Sequence, residues 1–529
     1  MPSFDQRSRP AAIQPADRRP VAGPHSGAAA LAILAGLATG CGGGPESGPR
    51  GVLLISIDSL RADHLSSYGY RSSTAPAEAT TPNIDRLLAD QGTRFEQVVS
   101  TTSWTLPSHL ALLTGQPDEV HGVRDLPDRL SPEHQLLAEA FADEGWRTFG
   151  IWSGPNLHPW FGFGRGFETY DDCSSVAVAD ADGMFGVDGV APGSEAWGDV
   201  RSLHERSHHG VTGPAVVGAF ERRLAEIGDD ERYFAFVHMW DVHYDYNAPR
   251  AFDIFFPGAE RYDGPIDGQD FKDYGRRFLV DKEPLDDRDL ARLISLYDAE
   301  IRYTDDNIGR MLAALEARGR LDDSLVVVTS DHGEEFLDHQ NFGHKNGLYD
   351  EVLRVPLLLR LPGTIPAGRT IAPLVGLVDV APTIADYARL VDFGSGVFGH
   401  SLRPAIEGGA QVERPLPLEL TVRPLSLDVR GVRGPGWKVL RPGPGLKPGL
   451  FDLGRDPSER RFLVPPQAER EADPRFARAE TLWSELDALA ALRAGASPGE
   501  LPSALREQLI AAGYLVDDGD GGPDEGGEQ

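Results

Sequence analysis

The sequence predicts an α/β fold in which a mostly parallel sheet is flanked by helices. Short apolar runs, typical of buried parallel strands, recur along the chain, and stretches with helical spacing of apolar residues separate them. The chain has 529 residues, of which 40% are hydrophobic. That length allows a large buried core and two or three domains.

The first apolar run is VLLISI, residues 52–57, and it predicts a buried strand that stops at Asp58. The segment TTPNIDRLLADQG, residues 80–92, predicts a helix, because its threonine, proline and glycine suit the cap, the first turn and the C-terminal end. The segment TLPSHLALLTG predicts a second helix with Pro107 in its first position, so that Thr105 lies just before it.

Three further apolar runs predict strands, and each follows a segment with helical periodicity; they span residues 146–153, 232–241 and 323–336. Residues 415–459 alternate between polar and apolar side chains and carry turn residues, which predicts a small C-terminal antiparallel sheet. Residues 475–515 are predicted to be helical. The final residues, DDGDGGPDEGGEQ, are acidic and rich in glycine, a composition typical of disorder.

The N-terminal segment has the form of an export signal, with arginines followed by the short apolar run GAAALAILAGLATG and Cys41. The run is too short for a transmembrane helix. LATGC resembles the lipobox of bacterial lipoproteins, in which Cys41 would be acylated. A plain cleaved signal and a low-complexity leader are the alternatives. We expect an exported protein of the bacterial cell envelope, lipid-anchored or secreted, that contacts the membrane only through Cys41.

Acidic residues and histidines follow three of the predicted strands: Asp58, then His238 and His243, then Asp331 and His332. Ligands of open α/β sheets bind at the carboxyl ends of the strands, so these side chains are expected to converge. Two carboxylates and one imidazole suit a divalent metal, and the histidine favours manganese or zinc over calcium. Each residue alone has an ordinary structural explanation, and the convergence of strand ends favours the metal site.

Thr105 is a candidate nucleophile on this edge. The free N–H groups of the following helix can bind an anion, and a nearby metal would lower the pKa of the hydroxyl. The alternative is a helix cap, the commonest role of threonine at such a position. Ser103 and Ser108 are rival hydroxyls.

Several motifs in order, from about residue 50 onward, resemble the sulfatase family of the alkaline phosphatase superfamily: VLLISIDSLRADHL, TLPSHLALLTG, FVHMWDVHYDY, TSDHGEEF and GHKNGLYDE. The resemblance implies an alkaline-phosphatase-like core, hydrolysis of sulfate or phosphate esters, and one divalent ion (Mn, Zn, Ca or Mg) held by Asp58, Asp331, His332 and Thr105. It implies catalytic roles for Thr105, His243, Lys345 and His344. We assign substrate binding to His238 and His109.

The resemblance also organises the chain into domains. We expect a leader over residues 1–41, a linker over 42–50, a catalytic domain over 51–405, a C-terminal subdomain over 406–515 and a disordered tail over 516–529. The formal net charge of −30 repels nucleic acid, so we expect no nucleic-acid partner. The resemblance implies a small anionic ester as substrate. The two cysteines, Cys41 and Cys173, lack metal-type spacing.

Three residues depart from the family pattern. Sulfatases oxidise a cysteine or serine at the nucleophile position to formylglycine, and the methyl group of Thr105 blocks that oxidation. The signature arginine is His109 here, and the usual aspartate after the first metal ligand is Ser59. A sulfated formylglycine hydrate ejects sulfate by collapsing to the aldehyde, an exit that threonine lacks. A threonine phosphate ester can be hydrolysed, so the nucleophile favours a phosphate mono- or diester.

Other functions remain open from the residues. The chain could be a non-catalytic lipoprotein that uses the sulfatase fold for binding, or a phosphoethanolamine-type transferase. A two-metal phosphodiesterase would need further ligands, for which Asp241, His238 and His344 are the candidates.

Overall fold

The structure, a computed structural model, describes residues 48–174, 211–268, 271–393, 397–410, 413–443 and 446–492. The predicted leader, most of the linker and the acidic tail lie outside these residues, as do Cys41 and residues 493–515 of the predicted helical region. Within the described ranges, no helix is both long and apolar enough to cross a membrane.

The described residues contain fifteen strands, numbered in chain order: β1 Gly51–Ile57, β2 Thr93–Val99, β3 Arg147–Trp152, β4 Thr169–Asp172, β5 Tyr233–Met239, β6 Ser324–Ser330, β7 Glu335–Phe336, β8 Phe342–Gly343, β9 Arg354–Arg360, β10 Arg369–Ile371, β11 Val375–Gly376, β12 Leu416–Val422, β13 Leu427–Gly434, β14 Trp437–Arg441 and β15 Gly449–Asp452. The predicted strands at 52–57, 146–153 and 232–241 correspond to β1, β3 and β5, and the segment 323–336 divides into β6 and β7.

The α-helices of the same residues are numbered likewise: α1 Pro82–Ile84, α2 Thr105–Thr114, α3 Asp118–His121, α4 Leu137–Asp143, α5 Gly213–Glu226, α6 Phe271–Tyr274, α7 Asp287–Ala317, α8 Asp350–Leu353, α9 Val380–Ala388, α10 Arg403–Ile406, α11 Gln467–Ala472 and α12 Pro474–Leu492. The helix predicted over 80–92 is shorter than expected, because α1 passes into a π-helical segment at Asp85–Ala89.

Nine strands form the central sheet, in the order β10–β2–β9–β6–β1–β5–β3–β4, with β11 also paired to β2. Strand β1 lies in the middle and pairs in parallel with both β5 and β6. Strand β9 is antiparallel to β6 and to β2, whereas the other pairs are parallel. The predicted α/β fold with a mostly parallel sheet is therefore confirmed.

The sheet has an apolar core on each face, because successive residues of a strand point to opposite sides. Val52 and Leu54 belong to the core that includes buried residues of α2 and α9. Leu53 and Ile55 belong to the core that includes buried residues of α5 and α7. Strand β1 is thus covered on both sides, as its uninterrupted apolar run predicts.

The strand register sets the level of the polar residues at the carboxyl edge. Ile57 is paired with Met239 of β5 and with Ser330 of β6. Asp58 and Asp331 each follow immediately after these paired positions, and His238 lies next to Met239. The predicted convergence of these strand ends follows directly from this register.

A smaller antiparallel sheet of β12, β13, β14 and β15 follows in the C-terminal part, as predicted for residues 415–459. Its first strand is attached near the start of α2, where Glu419 N–H donates to the Thr101 carbonyl at 2.9 Å. Helix α12 contributes Phe476 and Trp483 to a separate apolar cluster with Val432 and Val439 of this sheet.

Candidate active site

The site is built on the carboxyl ends of β1 and β6. Asp58, Asp331 and His332 are buried, and one ligand atom from each lies within 4.8 Å of the others. His332 Nε2 is 3.6 Å from Asp58 Oδ1 and 3.3 Å from Asp331 Oδ2. These three residues, called the acidic group below, are the ones that the strand-end pattern predicts for a metal ion.

The chemistry of these three side chains fits a divalent cation. Asp331 Oδ2 is buried and accepts no hydrogen bond. Burial raises the pKa of Asp58 to about 6, although His332, Ser59 and Thr105 act to lower it. Buried carboxylates without a counter-charge are costly, and a cation would supply both the missing ligand contact and the charge.

Ser59 holds two of these ligands in place. Its N–H donates to Asp331 Oδ1 at 3.1 Å, and its hydroxyl donates to Asp58 Oδ1 at 3.0 Å. The residue has a φ of 57°, a left-handed conformation that is uncommon for residues other than glycine and often occurs at functional sites. The residue that replaces the family aspartate therefore orients the metal ligands without adding charge.

Thr105 faces the same group. Its Oγ1 lies 3.3 Å from His332 Nε2 and 3.5 Å from Asp58 Oδ2. Helix α2 begins at Thr105 itself, two residues earlier than the predicted start at Pro107, and no side chain caps its first turn. The rival hydroxyl of Ser108 donates back to the Trp104 carbonyl at 2.7 Å. Thr105 is therefore placed as the hydroxyl that contacts the acidic group, and not as a helix cap.

His109 and His238, the two residues assigned to substrate binding, are fully buried beside Asp331 and Asp58. His109 Nδ1 donates to the Thr105 carbonyl at 2.9 Å, and its Nε2 accepts from Ser56 Oγ at 2.9 Å. Both ring nitrogens thus have protein partners, and burial lowers the pKa of His109 to about 3. His238 Nε2 lies 3.2 Å from Asp58 Oδ2, and burial lowers its pKa to about 4.

Lys345 is brought to the start of α2. Its Nζ donates to Asp125 Oδ1 at 2.9 Å and lies 3.6 Å from the centre of the Trp104 ring. Its N–H donates to the Ser103 carbonyl at 2.9 Å. Burial lowers the pKa of this ammonium group, and the carboxylate of Asp125 opposes that shift.

Two more predicted residues, His243 and His344, adjoin the acidic group. The His344 ring is centred 4.3 Å from that of His332 and 4.9 Å from that of His243. The His243 ring stacks on Trp240 at 3.8 Å. His344 Nδ1 is 2.9 Å from an oxygen of Glu334.

Asp241, in contrast, is directed away from this set. Its Oδ2 accepts from Gly213 N–H at 2.6 Å, and its Oδ1 accepts from the Thr212 hydroxyl at 2.7 Å, so it binds the first turn of α5. Within the described residues, Asp58, Asp331 and His332 form the one group suited to a metal ion. The second metal set of Asp241, His238 and His344 is therefore not assembled.

Two residues of this region, Glu334 and Asp125, were not predicted from the sequence. Glu334 lies two positions after His332, and this closeness to a predicted metal ligand could have marked it as a site residue. Asp125 pairs with Lys345 across 220 residues, and no local pattern marks that pairing. Both are nearly fully buried, which excludes a simple solvent-facing role.

Comparisons with known proteins match this chain to sulfatases. The sulfatase family model matches residues 50–390. The N-acetylglucosamine-6-O-sulfatase of Bacteroides thetaiotaomicron is 26% identical over 398 residues, which cover 62% of this chain and 66% of that protein. The matched segment is thus slightly under two thirds of that relative's length.

Solved structures share the fold. The phosphonate monoester hydrolase of Agrobacterium radiobacter aligns with a TM-score of 0.63 and 25% identity, over 84% of this chain and 96% of that one. A structure determined in complex with its substrate D-glucosamine-2-N,6-O-disulfate aligns with a TM-score of 0.60 and 20% identity, over 84% of this chain and 99% of that one.

Proposed function

Because this chain belongs to the sulfatase family, we propose that it is a metal-dependent hydrolase of phosphate-type mono- or diesters that uses Thr105 as its nucleophile. The observation that carries this proposal is the position of Thr105 Oγ1, which is 3.3 Å from His332 Nε2 and 3.5 Å from Asp58 Oδ2. Thr105 Oγ1 and the candidate ligand atoms therefore form one buried cluster at the edge of the sheet.

The protein groups have separate roles in this reaction. When bound by Asp58, Asp331 and His332, one divalent ion supplies positive charge for the ester oxygens and lowers the pKa of the Thr105 hydroxyl. Thr105 Oγ1 attacks in line with the leaving group. Lys345 and the N–H groups of the first turn of α2 stabilise the negative charge that develops.

His243 or His344 protonates the leaving oxygen as Thr105 attacks. In a second step, water removes the group from Thr105 and releases the product. This route favours phosphorus over sulfur, since a threonine sulfate ester lacks the aldehyde exit of a formylglycine. The likeness to the phosphonate monoester hydrolase of Agrobacterium radiobacter supports the same choice.

A side-by-side assay tests the proposal. The purified protein is given an aryl phosphate, a phosphodiester, a phosphonate monoester and an aryl sulfate, each with Mn, Zn, Ca or Mg. We expect turnover of at least one phosphorus ester and, after rapid acid quenching, the transferred phosphorus group bound to Thr105, which is phosphothreonine when the substrate is a phosphate monoester. We expect Thr105→Ala to lower kcat by at least about 1,000-fold, whereas Asp305→Asn, at a buried carboxylate that binds the start of α1, keeps the activity.

Four results would contradict it. Thr105→Ala with retained activity would remove the nucleophile from the mechanism. Turnover of aryl sulfate alone would assign the protein to sulfate esters. Stoichiometric metal binding without turnover of any ester would support a binding protein, and transfer of the group to an added alcohol in preference to water would support a transferase.

We also propose that the protein is exported and lipid-anchored at Cys41, which rests on the sequence of residues 1–41. Expression in a bacterial host with an alkyne-labelled fatty acid tests this proposal. We expect label in the membrane fraction for the wild type and none for Cys41→Ser, and unlabelled wild-type protein would contradict the anchor.

A further inference from the structure

A carboxylate and a histidine form a buried pair beside the acidic group. Glu334 Oε1 lies 2.9 Å from His344 Nδ1, and Glu334 Oε2 accepts from the Tyr246 hydroxyl at 3.2 Å. The side chains of Glu334 and His344 are 0% and 1% exposed. The loop from Glu334 to His344 folds back as a hairpin, in which β7 pairs with β8, and this brings the two residues together.

The opposite nitrogen of the same ring is unoccupied by protein. His344 Nε2 is buried and makes no hydrogen bond. Because Nδ1 is held by Glu334, Nε2 is directed to the other side of the ring, and the rings of His332 and His243 are both adjacent. A buried imidazole nitrogen without a partner is unfavourable unless a ligand or water satisfies it.

His243, the other candidate for proton transfer, is held differently. Its Nδ1 donates to the Tyr244 carbonyl at 2.6 Å, and its ring stacks on Trp240. A neutral carbonyl stabilises a developing imidazolium less than a carboxylate does. The two histidines therefore differ in the group behind them, and this difference favours His344 for proton transfer.

We propose that Glu334 is a positioning residue that orients His344, and that His344 Nε2 is the proton donor to the leaving oxygen. This proposal rests on the function proposed above, in which either His243 or His344 protonates the leaving oxygen, and it selects His344. The arrangement is that of a carboxylate behind a catalytic histidine, in which the carboxylate fixes the ring and stabilises its charged form.

The protons balance over one turnover. In the first step the Oγ1–phosphorus bond forms, the bond from phosphorus to the leaving oxygen breaks, and the Nε2 proton moves to that oxygen. In the second step the oxygen of water bonds to phosphorus, the Oγ1–phosphorus bond breaks, and a water proton moves to Nε2. The proton between Glu334 Oε1 and His344 Nδ1 stays in that hydrogen bond, and Thr105 Oγ1 begins and ends as an alkoxide.

Leaving-group dependence tests this role. A 4-nitrophenolate leaves readily without a proton, whereas a phenolate needs one. We expect Glu334→Gln and His344→Ala to lower kcat/KM for the 4-nitrophenyl ester less than about tenfold and for the phenyl ester by about 100-fold or more. The double variant should be no slower than His344→Ala alone, because the two residues act as one unit.

The control is Asp305→Asn, which alters another buried carboxylate, one that binds the backbone at the start of α1. It should slow both esters equally or not at all. Equal losses on both esters in Glu334→Gln, or additive losses in the double variant, would overturn the positioning role.

Two further measurements separate this proposal from the proposed function. If the wild type hydrolyses aryl sulfates only, the phosphoester proposal fails, and the same leaving-group series on aryl sulfates still decides the role of Glu334. If the wild type hydrolyses neither phosphorus esters nor aryl sulfates, or if Glu334→Gln does not fold, the proton NMR spectrum of the wild type tests the Glu334–His344 hydrogen bond. A strongly deshielded proton that is lost in His344→Gln supports the Glu334–His344 bond, and its absence from the wild type overturns it.

Discussion

The ion pair between Lys345 and Asp125 gives a quantitative prediction for the variant Asp125→Asn. The two atoms are 2.9 Å apart, and the side chains of Lys345 and Asp125 are 14% and 3% exposed. Removal of one partner from a buried pair typically destabilises the fold by roughly 3–5 kcal/mol, because the other charge stays buried without compensation. The asparagine keeps an oxygen that can accept the Arg423 N–H, which Asp125 Oδ2 binds at 2.6 Å.

The same variant should move the pH profile of activity. Burial lowers the pKa of Lys345, and Asp125 raises it. Without Asp125 the pKa of Lys345 falls further, because the carboxylate charge that favours the protonated ammonium group is gone. Lys345 then loses its proton at lower pH, so the alkaline limb of kcat/KM should move toward neutral pH.

The assay combines guanidinium unfolding with kcat/KM measured between neutral and alkaline pH. The matched control is Asp128→Asn, because Asp128 lies in the same loop and pairs with Arg423. A second control places Asp125→Asn on a Lys345→Met background, where it should no longer move the limb. An alkaline limb that stays in place in Asp125→Asn would refute the assignment of a charged Lys345 to the reaction.

Three further predictions concern the metal, a buried acid and a helix terminus. Removal of the divalent ion with EDTA should lower the Tm of the wild type, by an amount equivalent to about 2.7 kcal/mol when the ion had been at 100 times its Kd; an unchanged Tm would contradict the metal site. Burial raises the pKa of Asp118 to about 8, so the folded state retains a proton that the unfolded state releases from about pH 4 upward. The free energy of unfolding should therefore fall as the pH rises from about 4 to about 8. Urea unfolding of Asp118→Asn should show a shallower fall. Asp241→Asn should cost about 1 kcal/mol at the start of α5 and leave the metal content unchanged; loss of the metal would return Asp241 to the ligand set.

Much of the fold and part of the site could be predicted because their signals are local in the sequence. Strand β1 is an uninterrupted apolar run because both of its faces are covered. Asp58 is the first charged residue after that run, so the end of the strand could be predicted too. Asp331 and His332 follow another such run. The register of parallel strands then places these residues together, so the candidate metal site could be predicted from the strand ends alone.

The remaining contacts depend on long-range packing or on backbone conformation. Asp125 binds Lys345 across 220 residues, and Arg423, which follows β12, binds the same carboxylate. No local periodicity encodes such contacts. The predicted start of α2 at Pro107 was late because proline is tolerated anywhere in the first turn, where its missing N–H has no intrahelical partner. A buried histidine and a substrate-binding histidine look alike in sequence, so the substrate-binding role of His109 stays a prediction.

The family pattern has an aspartate and an arginine where this chain has Ser59 and His109, and both of these residues lie against Asp331. Ser59, in place of an aspartate, donates its N–H to Asp331 Oδ1, and His109, in place of an arginine, lies 3.4 Å from Asp331 Oδ2. Burial lowers the pKa of His109 to about 3, so its ring is neutral at physiological pH. One negative and one positive charge have thus been replaced together by neutral groups, and the net charge around the metal ligands is unchanged. The two replacements offset each other in charge at a single carboxylate, which supports the proposal that this site works with a threonine nucleophile.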